Sequence, residues 1–434
     1  MAARRKICVL PLCPYLSETT RMMAIYRALV ARGADVCVAT HGGTHERVLE
    51  TEKIPYTIIG ERFSEERSRS FVRNGAGMGP TDQSMWSDDE IRAYVAEEAR
   101  FFRENDVGVA VTGFTLTALL SSRVAGIPLV TEHAGSFVPP IWERKMVEPY
   151  LVSTIPGVLR LPMFMRRFLA NLGATRIKHH CGGFNRVAKE LGVEGVPSLA
   201  ALLLGDLTLV TDTPDVLGIS AADLEAWRPK GPGLRPATRL RYAGPIFAQL
   251  DRPIPERVAR FLEGRGPIVY VAPTSTTAEE VRAIVKAVRA TDARVLVAGT
   301  VHDLDDLASD DVMVEGVLPS HLVMPKVDLA ITAGGQGSVQ TAMAAGTPLI
   351  AIPLQPEQDF NGQLLERHRA GARITMADAA TPKLAALTRR MLDDASYRRG
   401  AKKLAASYAD VDGAGAAADA ILELVGTGAR ATAA

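Results

Sequence analysis

The sequence is poor in the residues that build disulfide frameworks and metal sites. Four cysteines occur among 434 residues, and no two of them have the Cys-x-x-Cys spacing of a metal or redox site. A disulfide framework is not expected in a chain of this length, so we predict reduced thiols and a cytoplasmic protein. The eight histidines also lack ligand spacing with other metal-binding residues, and no metal or other cofactor is therefore expected. The cysteines are Cys8, Cys13, Cys37 and Cys181.

The sequence also lacks an excess of charge of either sign and a long apolar run. Fifty Lys and Arg against 49 Asp and Glu give a formal net charge of +1, which argues against nucleic acid as a partner. No stretch approaches the roughly 20 apolar residues that a membrane-spanning helix needs, so we expect no membrane span. The apolar run Ile7–Leu12 follows a basic start but precedes no cleavage pattern, and it is predicted to be a first strand.

Most of the chain alternates short apolar runs with segments of helical periodicity. The run Ile7–Leu12, the helical pattern Thr20–Arg32 and the run Asp35–Thr40 form a strand, helix, strand unit typical of a parallel sheet. The same rhythm restarts at Ile268–Ala272, after a Pro-, Gly- and Arg-rich stretch, Asp212–Pro245, that we predict to be a linker. Because a chain of this length exceeds one hydrophobic core, we predict an α/β fold with two doubly wound parallel-sheet domains.

Two facing parallel sheets indicate where ligands would bind. Open parallel sheets bind ligands beyond the carboxyl ends of their strands, so two of them facing each other offer two sites across one cleft. One half can hold a phosphorylated donor while the other holds an acceptor, and closure of the cleft excludes water from the reacting centre. The arrangement favours group transfer, but the residues must decide the function.

The most informative segment is a glycine-rich turn between a predicted strand and a predicted helix. The strand Leu329–Thr332 is followed by Gly335 and Gly337, which permit close approach of a ligand to the backbone. The N–H groups from Gly337 to Val339 lie at the positive end of the helix, and the Ser338 hydroxyl adds a donor, which suits a pyrophosphate. Taken alone, such a turn is equally typical of a purely structural connection.

Together with the residues after it, this segment resembles the C-terminal signature of the inverting GT-B fold glycosyltransferases of natural products and plant secondary metabolism. The segment Val317–Pro319 resembles the base-binding loop of that family, Val269–Ser275 its first C-domain strand and phosphate loop, and Tyr242–Pro245 its linker exit. The positions that match the signature are Gly335, Gly337, Ser338, Ala342, Gly346, Pro348, Pro353, Glu357 and Gln358.

The resemblance implies a domain organisation and a nucleotide-sugar site. Residues 1–240 would bind the acceptor, residues 241–414 the nucleotide-sugar donor, and residues 415–434 would form a helix and tail that pack back on the N-terminal domain. Glu357 and Gln358 would bind sugar hydroxyls, because a carboxylate accepts from two neighbouring hydroxyls and an amide both donates and accepts. The alternative for this pair is a solvated loop after a strand. The implied base contacts are Val317 and Leu318, the implied phosphate contacts are Ser275, Gly337, Ser338 and Val339, and the remaining donor-binding positions are Ala333, Gly335 and Thr341.

The sequence departs from the family pattern at two positions of the donor site. Ala333 stands where the family has a histidine that contacts the pyrophosphate, so one charge-capable donor is absent. Thr341 stands where the family has a glutamate that holds the ribose hydroxyls. A threonine there resembles members that use dTDP-deoxysugars, whereas the pair Glu357 and Gln358 is more usual with hexose donors that have free hydroxyls. The two signals conflict, and the resemblance leaves both a dTDP-sugar and a UDP-sugar open as the expected donor.

The sequence departs from the family again at the acceptor base. The family has a histidine after the first strand and a later aspartate that orients it, and these positions fall at Glu18 and near Thr112 or Gly113. Glu18 is a candidate base if burial raises its pKa, and the alternative is a helix N-terminal acid beside a cap at Ser17 or Thr19. His133 and Glu132, which directly follow a predicted strand, are further candidates, with a structural role as the alternative.

The sequence analysis therefore predicts an inverting glycosyltransferase that moves a sugar from a nucleoside diphosphate to a small-molecule acceptor. Trp86, Trp142 and Tyr150 lie in variable or helical regions that would line an apolar acceptor pocket. Two alternatives stay open: a nucleotide-sugar epimerase, which needs no acceptor base, and a non-catalytic auxiliary protein of the same fold. The sequence also leaves a homodimer open.

Overall fold

The computed structural model describes residues 6–75, 85–152, 157–247, 252–273, 276–299 and 302–431. Within these ranges all named strands pair in parallel, and they form two sheets. Helices connect the strands of each sheet, as a parallel sheet requires. The predicted α/β class with two parallel-sheet halves is therefore confirmed.

The first sheet has seven strands in the order β3-β2-β1-β4-β5-β6-β7. Its central strands are buried on both faces, which explains why they are continuous apolar runs and not alternating ones. The strands are β1 (Lys6–Val9), β2 (Val36–Thr40), β3 (Thr57–Ile58), β4 (Val107–Thr112), β5 (Leu129–His133), β6 (Leu207–Val210) and β7 (Arg239–Tyr242). The helices of this half are α1 (Leu16–Ala31), α2 (Arg47–Thr51), α3 (Glu65–Gly75), α4 (Asp88–Glu104), α5 (Ala118–Ala125), α6 (Pro140–Glu143), α7 (Met163–Leu172), α8 (Cys181–Leu191), α9 (Leu199–Leu203), α10 (Pro214–Leu217) and α11 (Ala221–Ala226).

The second sheet has six strands in the order β10-β9-β8-β11-β12-β13. Its strands are β8 (Ile268–Ala272), β9 (Arg294–Ala298), β10 (Val312–Glu315), β11 (Leu329–Thr332), β12 (Leu349–Ala351) and β13 (Gly371–Arg373). The helices are α12 (Glu256–Leu262), α13 (Ala278–Arg289), α14 (Ser320–Val323), α15 (Gln336–Ala344), α16 (Pro356–Arg367), α17 (Met376–Ala379), α18 (Pro382–Asp393), α19 (Ala395–Tyr408) and α20 (Gly413–Ala431).

The prediction of a linker at Asp212–Pro245 is wrong, because this stretch belongs to the half of the chain that contains the first sheet. It contains α10, α11 and the strand β7, which pairs with β6 at the edge of the first sheet. Leu240 is buried in the core there. The domain boundary at residue 240 stays a prediction, and it would divide β7. The C-terminal helix α20 packs on α1, where Arg32 binds Asp419 at 2.6 Å and Ile421 is buried.

Hydrogen bonds join the two halves at the carboxyl ends of their strands. Gln340 on α15 donates to the carbonyl of Thr211, at the end of β6, at 2.5 Å, and Gln336 donates to the Thr211 hydroxyl. Further along, Glu148 and Gln363 on α16 exchange two hydrogen bonds of 2.7 and 3.0 Å. The first turn of α15 is therefore held against the carboxyl edge of the first sheet.

Candidate functional site

The glycine-rich turn after β11 is tightly fitted at its first glycine. Gly334 has φ +83°, a conformation that L side chains rarely adopt. A Cβ there would lie 2.9 Å from the carbonyl oxygen of Gln358 and 3.0 Å from the Cβ of Ala351. Gly334 is therefore required by the fold itself, because it lets the turn pass against the start of α16.

We predict that Gly334→Ala destabilises the fold by about 2 kcal/mol or more, since it combines a positive φ with backbone overlap. Gly335→Ala is the matched control, because Gly335 has φ −63° and a Cβ there meets nothing within 4 Å. Denaturant unfolding of both variants measures the difference. Equal stability of the two variants would contradict the account of this turn.

The next two glycines lie beside open space. Gly335 caps α15, Gly337 is exposed in its first turn, and a Cβ at either position would meet no atom within 4 Å. The N–H of Val339 donates to the Gly335 carbonyl at 3.1 Å, so it is satisfied within the turn. The N–H groups of Gly337 and Ser338 precede the first intrahelical bond and lie at the positive end of the helix. Protein packing does not require these glycines, so a ligand has room to approach the backbone here.

Two further predicted donor-binding positions, Thr341 and Ala333, lie near the same helix end. The Thr341 hydroxyl donates to the Gly337 carbonyl at 2.7 Å, which leaves its oxygen lone pairs to accept from a ligand. Ala333 is buried at the end of β11 and carries no polar group. Ser275, a predicted phosphate contact, lies outside the described residues.

The predicted base-binding loop connects β10 to α14. Val317 is 42% exposed, whereas Leu318 is buried in the hydrophobic core. The exposed Val317 side chain and the backbone of this loop are thus accessible to a base, and the Leu318 side chain packs beneath the loop.

Glu357 and Gln358 lie in the first turn of α16, against the glycine turn. Burial raises the pKa of Glu357 to about 7, although the hydrogen bond from Asn361, at 2.6 Å to Oε1, lowers it. Gln358 is buried and its side-chain oxygen accepts from the Leu354 N–H at 2.8 Å, which fixes the loop before α16. Glu357 is therefore the better placed of the two to accept from a ligand.

Glu18 is buried in the first turn of α1 and accepts three backbone hydrogen bonds. Its Oε2 accepts from Leu12 at 2.6 Å, and its Oε1 accepts from Gly113 and Phe114 at 3.1 and 3.2 Å. Burial raises the pKa of Glu18 to about 7. The expectation of a cap at Ser17 or Thr19 is wrong, because α1 begins at Leu16 and no side chain caps it.

Glu132, at the end of β5, forms a buried ion pair with Arg21 of α1. The Arg21 Nε lies 2.6 Å from Glu132 Oε1, and Glu132 is 1% exposed. Burial raises the pKa of Glu132, although Arg21 lowers it. Glu132 Oε2 has no hydrogen-bond partner in the described part of the chain, which is costly for a buried carboxylate oxygen.

Gly113 explains how two carboxyl groups fit together here. A Cβ at Gly113 would lie 2.9 Å from Glu132 Oε1 and 2.9 Å from the Cγ of Glu18. The position near which the family has its aspartate therefore has no room for a side chain. Two glutamates from other elements occupy that space.

His133 is buried beside Glu132 and oriented by the backbone. Its Nε2 lies 2.7 Å from the Leu203 carbonyl, so that nitrogen carries the proton. Burial lowers the pKa of His133 to about 4. The aromatic rings of Phe114 and Phe137 pack against the imidazole.

Arg21 brings the predicted candidates from both halves of the chain into one charged group. Burial opposes the charge on Arg21, but Glu132, Glu18 and Glu357 raise the pKa of its guanidinium. Sequence reasoning missed Arg21, although its position three residues after Glu18 on one helix face was a usable signal. It also missed Asp212, which is buried after β6, accepts from the Gly135 N–H at 2.6 Å and has a pKa raised by burial.

Two structural findings bear on partners and cofactors. Across the described residues, no group of three His, Cys, Asp or Glu side chains is arranged to hold a metal ion. In the same ranges, no helix is both long and apolar enough to cross a bilayer.

Comparison with known proteins finds glycosyltransferases among the proteins similar to this chain. A 24% identical relative, the PGL/p-HBAD biosynthesis glycosyltransferase of Mycobacterium tuberculosis, aligns over 323 residues, 73% of this chain and 71% of the relative. The 4'-demethylrebeccamycin synthase of Lentzea aerocolonigenes is 30% identical over 192 residues, 43% of this chain and 45% of its own. Among solved structures, the glycosyltransferase VinC in complex with dTDP superposes with a TM-score of 0.65 at 14% identity. The superposition covers 97% of this chain and the full length of the VinC chain.

Fold and relatives together define the class of protein: the chain is a glycosyltransferase with the GT-B fold, as its sequence predicted. Within that class, residues 282–424 match the family described as erythromycin biosynthesis protein CIII-like, C-terminal domain. The calicheamicin glycosyltransferase CalG4 shares the fold, with a TM-score of 0.63 at 16% identity over 98% of this chain and 99% of its own. The relatives support the transferase prediction over the epimerase and auxiliary alternatives.

Proposed function

We propose that this protein is an inverting glycosyltransferase that moves a sugar from a dTDP- or UDP-sugar to a small-molecule, natural-product acceptor. The observation that carries the proposal is the first turn of α15. There the N–H groups of Gly337 and Ser338 lie at a helix N-terminus, beside glycines that packing does not require. Oriented amides of this kind bind a diphosphate and stabilise the charge that develops on it as it leaves.

Thr341 supports a thymidine donor. Thr341 offers a single hydroxyl, which matches the lone hydroxyl of a deoxyribose better than a vicinal diol. The VinC structure, and that of the Streptomyces glycosyltransferase SsfS6, which has the same fold, were both solved with thymidine diphosphate (dTDP), which also supports dTDP. Glu357 and Gln358 support a sugar with free hydroxyls.

We assign the acceptor base to Glu132, with Arg21 as the residue that positions it. Of the three candidates, Glu18 uses both carboxylate oxygens to accept backbone N–H groups, and His133 has its pKa lowered to about 4. Glu132 keeps one oxygen, Oε2, without a partner among the described residues. In the proposed reaction Oε2 takes the proton of the acceptor hydroxyl. The hydroxyl oxygen then forms the new bond to the anomeric carbon as the bond to the diphosphate breaks.

The test is a transfer assay with dTDP- and UDP-sugars and a panel of hydroxylated aromatic and macrolide acceptors. We expect one product whose anomeric configuration, read by NMR, is opposite to that of the donor, with one nucleoside diphosphate released per product. A product with retained configuration would contradict the direct displacement. Conversion of the donor without acceptor would favour the epimerase, and nucleotide binding without turnover would favour the auxiliary protein.

The raised pKa of Glu357 predicts that affinity for the sugar depends on pH. The ionised carboxylate is the form that accepts sugar hydroxyls, so affinity for a nucleotide sugar should rise as pH increases through about 7. We expect roughly a tenfold gain from pH 6 to pH 8, which follows from the ionised fraction of one group. Calorimetric titration with an intact nucleotide sugar measures it, because the diphosphate diester of the nucleotide sugar keeps the same charge from pH 6 to pH 8. In Glu357→Gln the gain should vanish, and its persistence there would contradict the role of Glu357.

A further inference from the structure

The exposed apolar side chains of this protein are concentrated in one short segment. Ten large apolar side chains are exposed in the described part of the chain, and six of them lie between residues 159 and 169. Phe164 is 74% exposed, Phe168 66% and Met163 64%, although α7 is a full three-turn helix. Single exposed apolar residues need no explanation, but a contiguous group of this kind marks an interaction surface. The group consists of Leu159, Met163, Phe164, Met165, Phe168 and Leu169.

The same segment has a strong positive charge. Residues 157–178 contain five basic residues and no Asp or Glu, in a chain whose formal net charge is +1. Of these, Arg160, Arg176 and Lys178 are exposed, and Arg167, 57% exposed at its side chain, pairs with Glu148. The fifth, Arg166, donates to the Tyr150 carbonyl and anchors the helix. An apolar face flanked by basic residues is complementary to a structure that has negative charge at its surface and an apolar interior beneath that surface.

We propose that α7 and its flanks, residues 157–178, form a binding surface for an anionic lipid bilayer. Phenylalanine and methionine side chains would enter the boundary between headgroups and acyl chains, while arginines and the lysine reach the lipid phosphates. The basic residues favour this occupant over a second copy of the chain, because two copies of the surface would repel each other. The helix lies in the plane of the membrane and does not cross it.

The position of α7 relates this surface to the cleft between the two halves. Tyr150 and Glu148, which contact α7, belong to the segment that is hydrogen-bonded to Gln363 of α16. The bilayer surface therefore borders the seam where donor and acceptor halves meet. On the proposed function, which this step alone assumes, an amphiphilic acceptor dissolved in the bilayer would reach the cleft from that side.

Vesicle co-sedimentation of the full chain tests the proposal without substrate. The probes are phosphatidylcholine vesicles with and without phosphatidylglycerol. We expect binding to the anionic vesicles, reduced by added salt, and reduced by roughly tenfold or more in the double variant Phe164→Ser, Phe168→Ser. The matched control is Val30→Ser, Leu191→Ser, which removes two exposed apolar side chains elsewhere and should bind like the wild type.

Three results would overturn the proposal. The first is no binding of the wild type to anionic vesicles, and the second is equal binding by the Phe164→Ser, Phe168→Ser variant. The third is a concentration-dependent dimer that this variant dissociates while vesicles bind neither form, since the surface would then join two copies. Nucleotide affinity of the same variant should equal that of the wild type, so failure here leaves the proposed function unaffected.

Discussion

Glu132→Gln should lower kcat by roughly 10²–10⁴-fold, the loss expected when a general base is removed. The amide keeps the shape of the side chain and an oxygen that can accept from Arg21, but it cannot take a proton. The affinity for the nucleoside diphosphate should stay within a factor of about two, because the change removes none of the N–H donors of the α15 turn. Steady-state kinetics with the best acceptor, together with calorimetric titration, measure both quantities.

Two companion variants separate Glu132 from the other candidates. His133→Gln keeps a side-chain donor for the Leu203 carbonyl and removes the imidazole, so it should retain most of the activity. Arg21→Lys keeps the positive charge but replaces the planar guanidinium, with its several N–H donors, by a single ammonium. It should shift the acidic limb of the pH–rate profile, and its effect on donor affinity should be small. An inactive His133→Gln with an active Glu132→Gln would transfer the role of the base to His133.

Gly337→Leu should weaken binding of the nucleoside diphosphate by roughly 100-fold or more, the loss of about two hydrogen bonds to a charged group. A side chain in the first helical turn leans toward the helix N-terminus, where it would occupy the space in front of the N–H groups. The fold should not suffer, because the position is open and glycine is a poor helix former. Calorimetric titration and thermal unfolding measure binding and stability separately.

Gly426→Leu is the matched control for this variant. Gly426 is an exposed helical glycine in α20, and a Cβ there also meets nothing within 4 Å. It should likewise leave the fold intact, with unchanged nucleotide affinity. Unchanged affinity in Gly337→Leu would place the diphosphate elsewhere and remove the main support for the proposed donor site.

The geometry of the candidate donor site was largely predictable from sequence because its contacts are local. The turn from Gly334 to Ser338 joins one strand to one helix, and its spacing indicates both the backbone geometry and the resemblance to GT-B enzymes. Glu357 and its partner Asn361 are four residues apart on one helix, so their contact also follows from local spacing.

The group around Arg21 and Glu132 was less predictable because its contacts are long-range. Arg21 and Glu132 are 111 residues apart, and neither residue type indicates the other without the fold. In the sequence, Gly113 shows only that the aspartate of the family is absent near this position. In the structure, its lack of a side chain leaves room for two carboxyl groups. The strand β7 was missed for a similar reason, because its pairing with β6 overrides a local composition typical of a linker.

A crystal structure of the protein with dTDP, and a second one with UDP, tests the central claim most directly. We predict that oxygens of the diphosphate lie about 3 Å from the backbone nitrogens of Gly337 and Ser338, with the base beside Val317 and the ribose beside Thr341. A diphosphate bound away from the first turn of α15, or a nucleotide held by the first half of the chain, would contradict the account of this protein as a GT-B glycosyltransferase whose donor binds there.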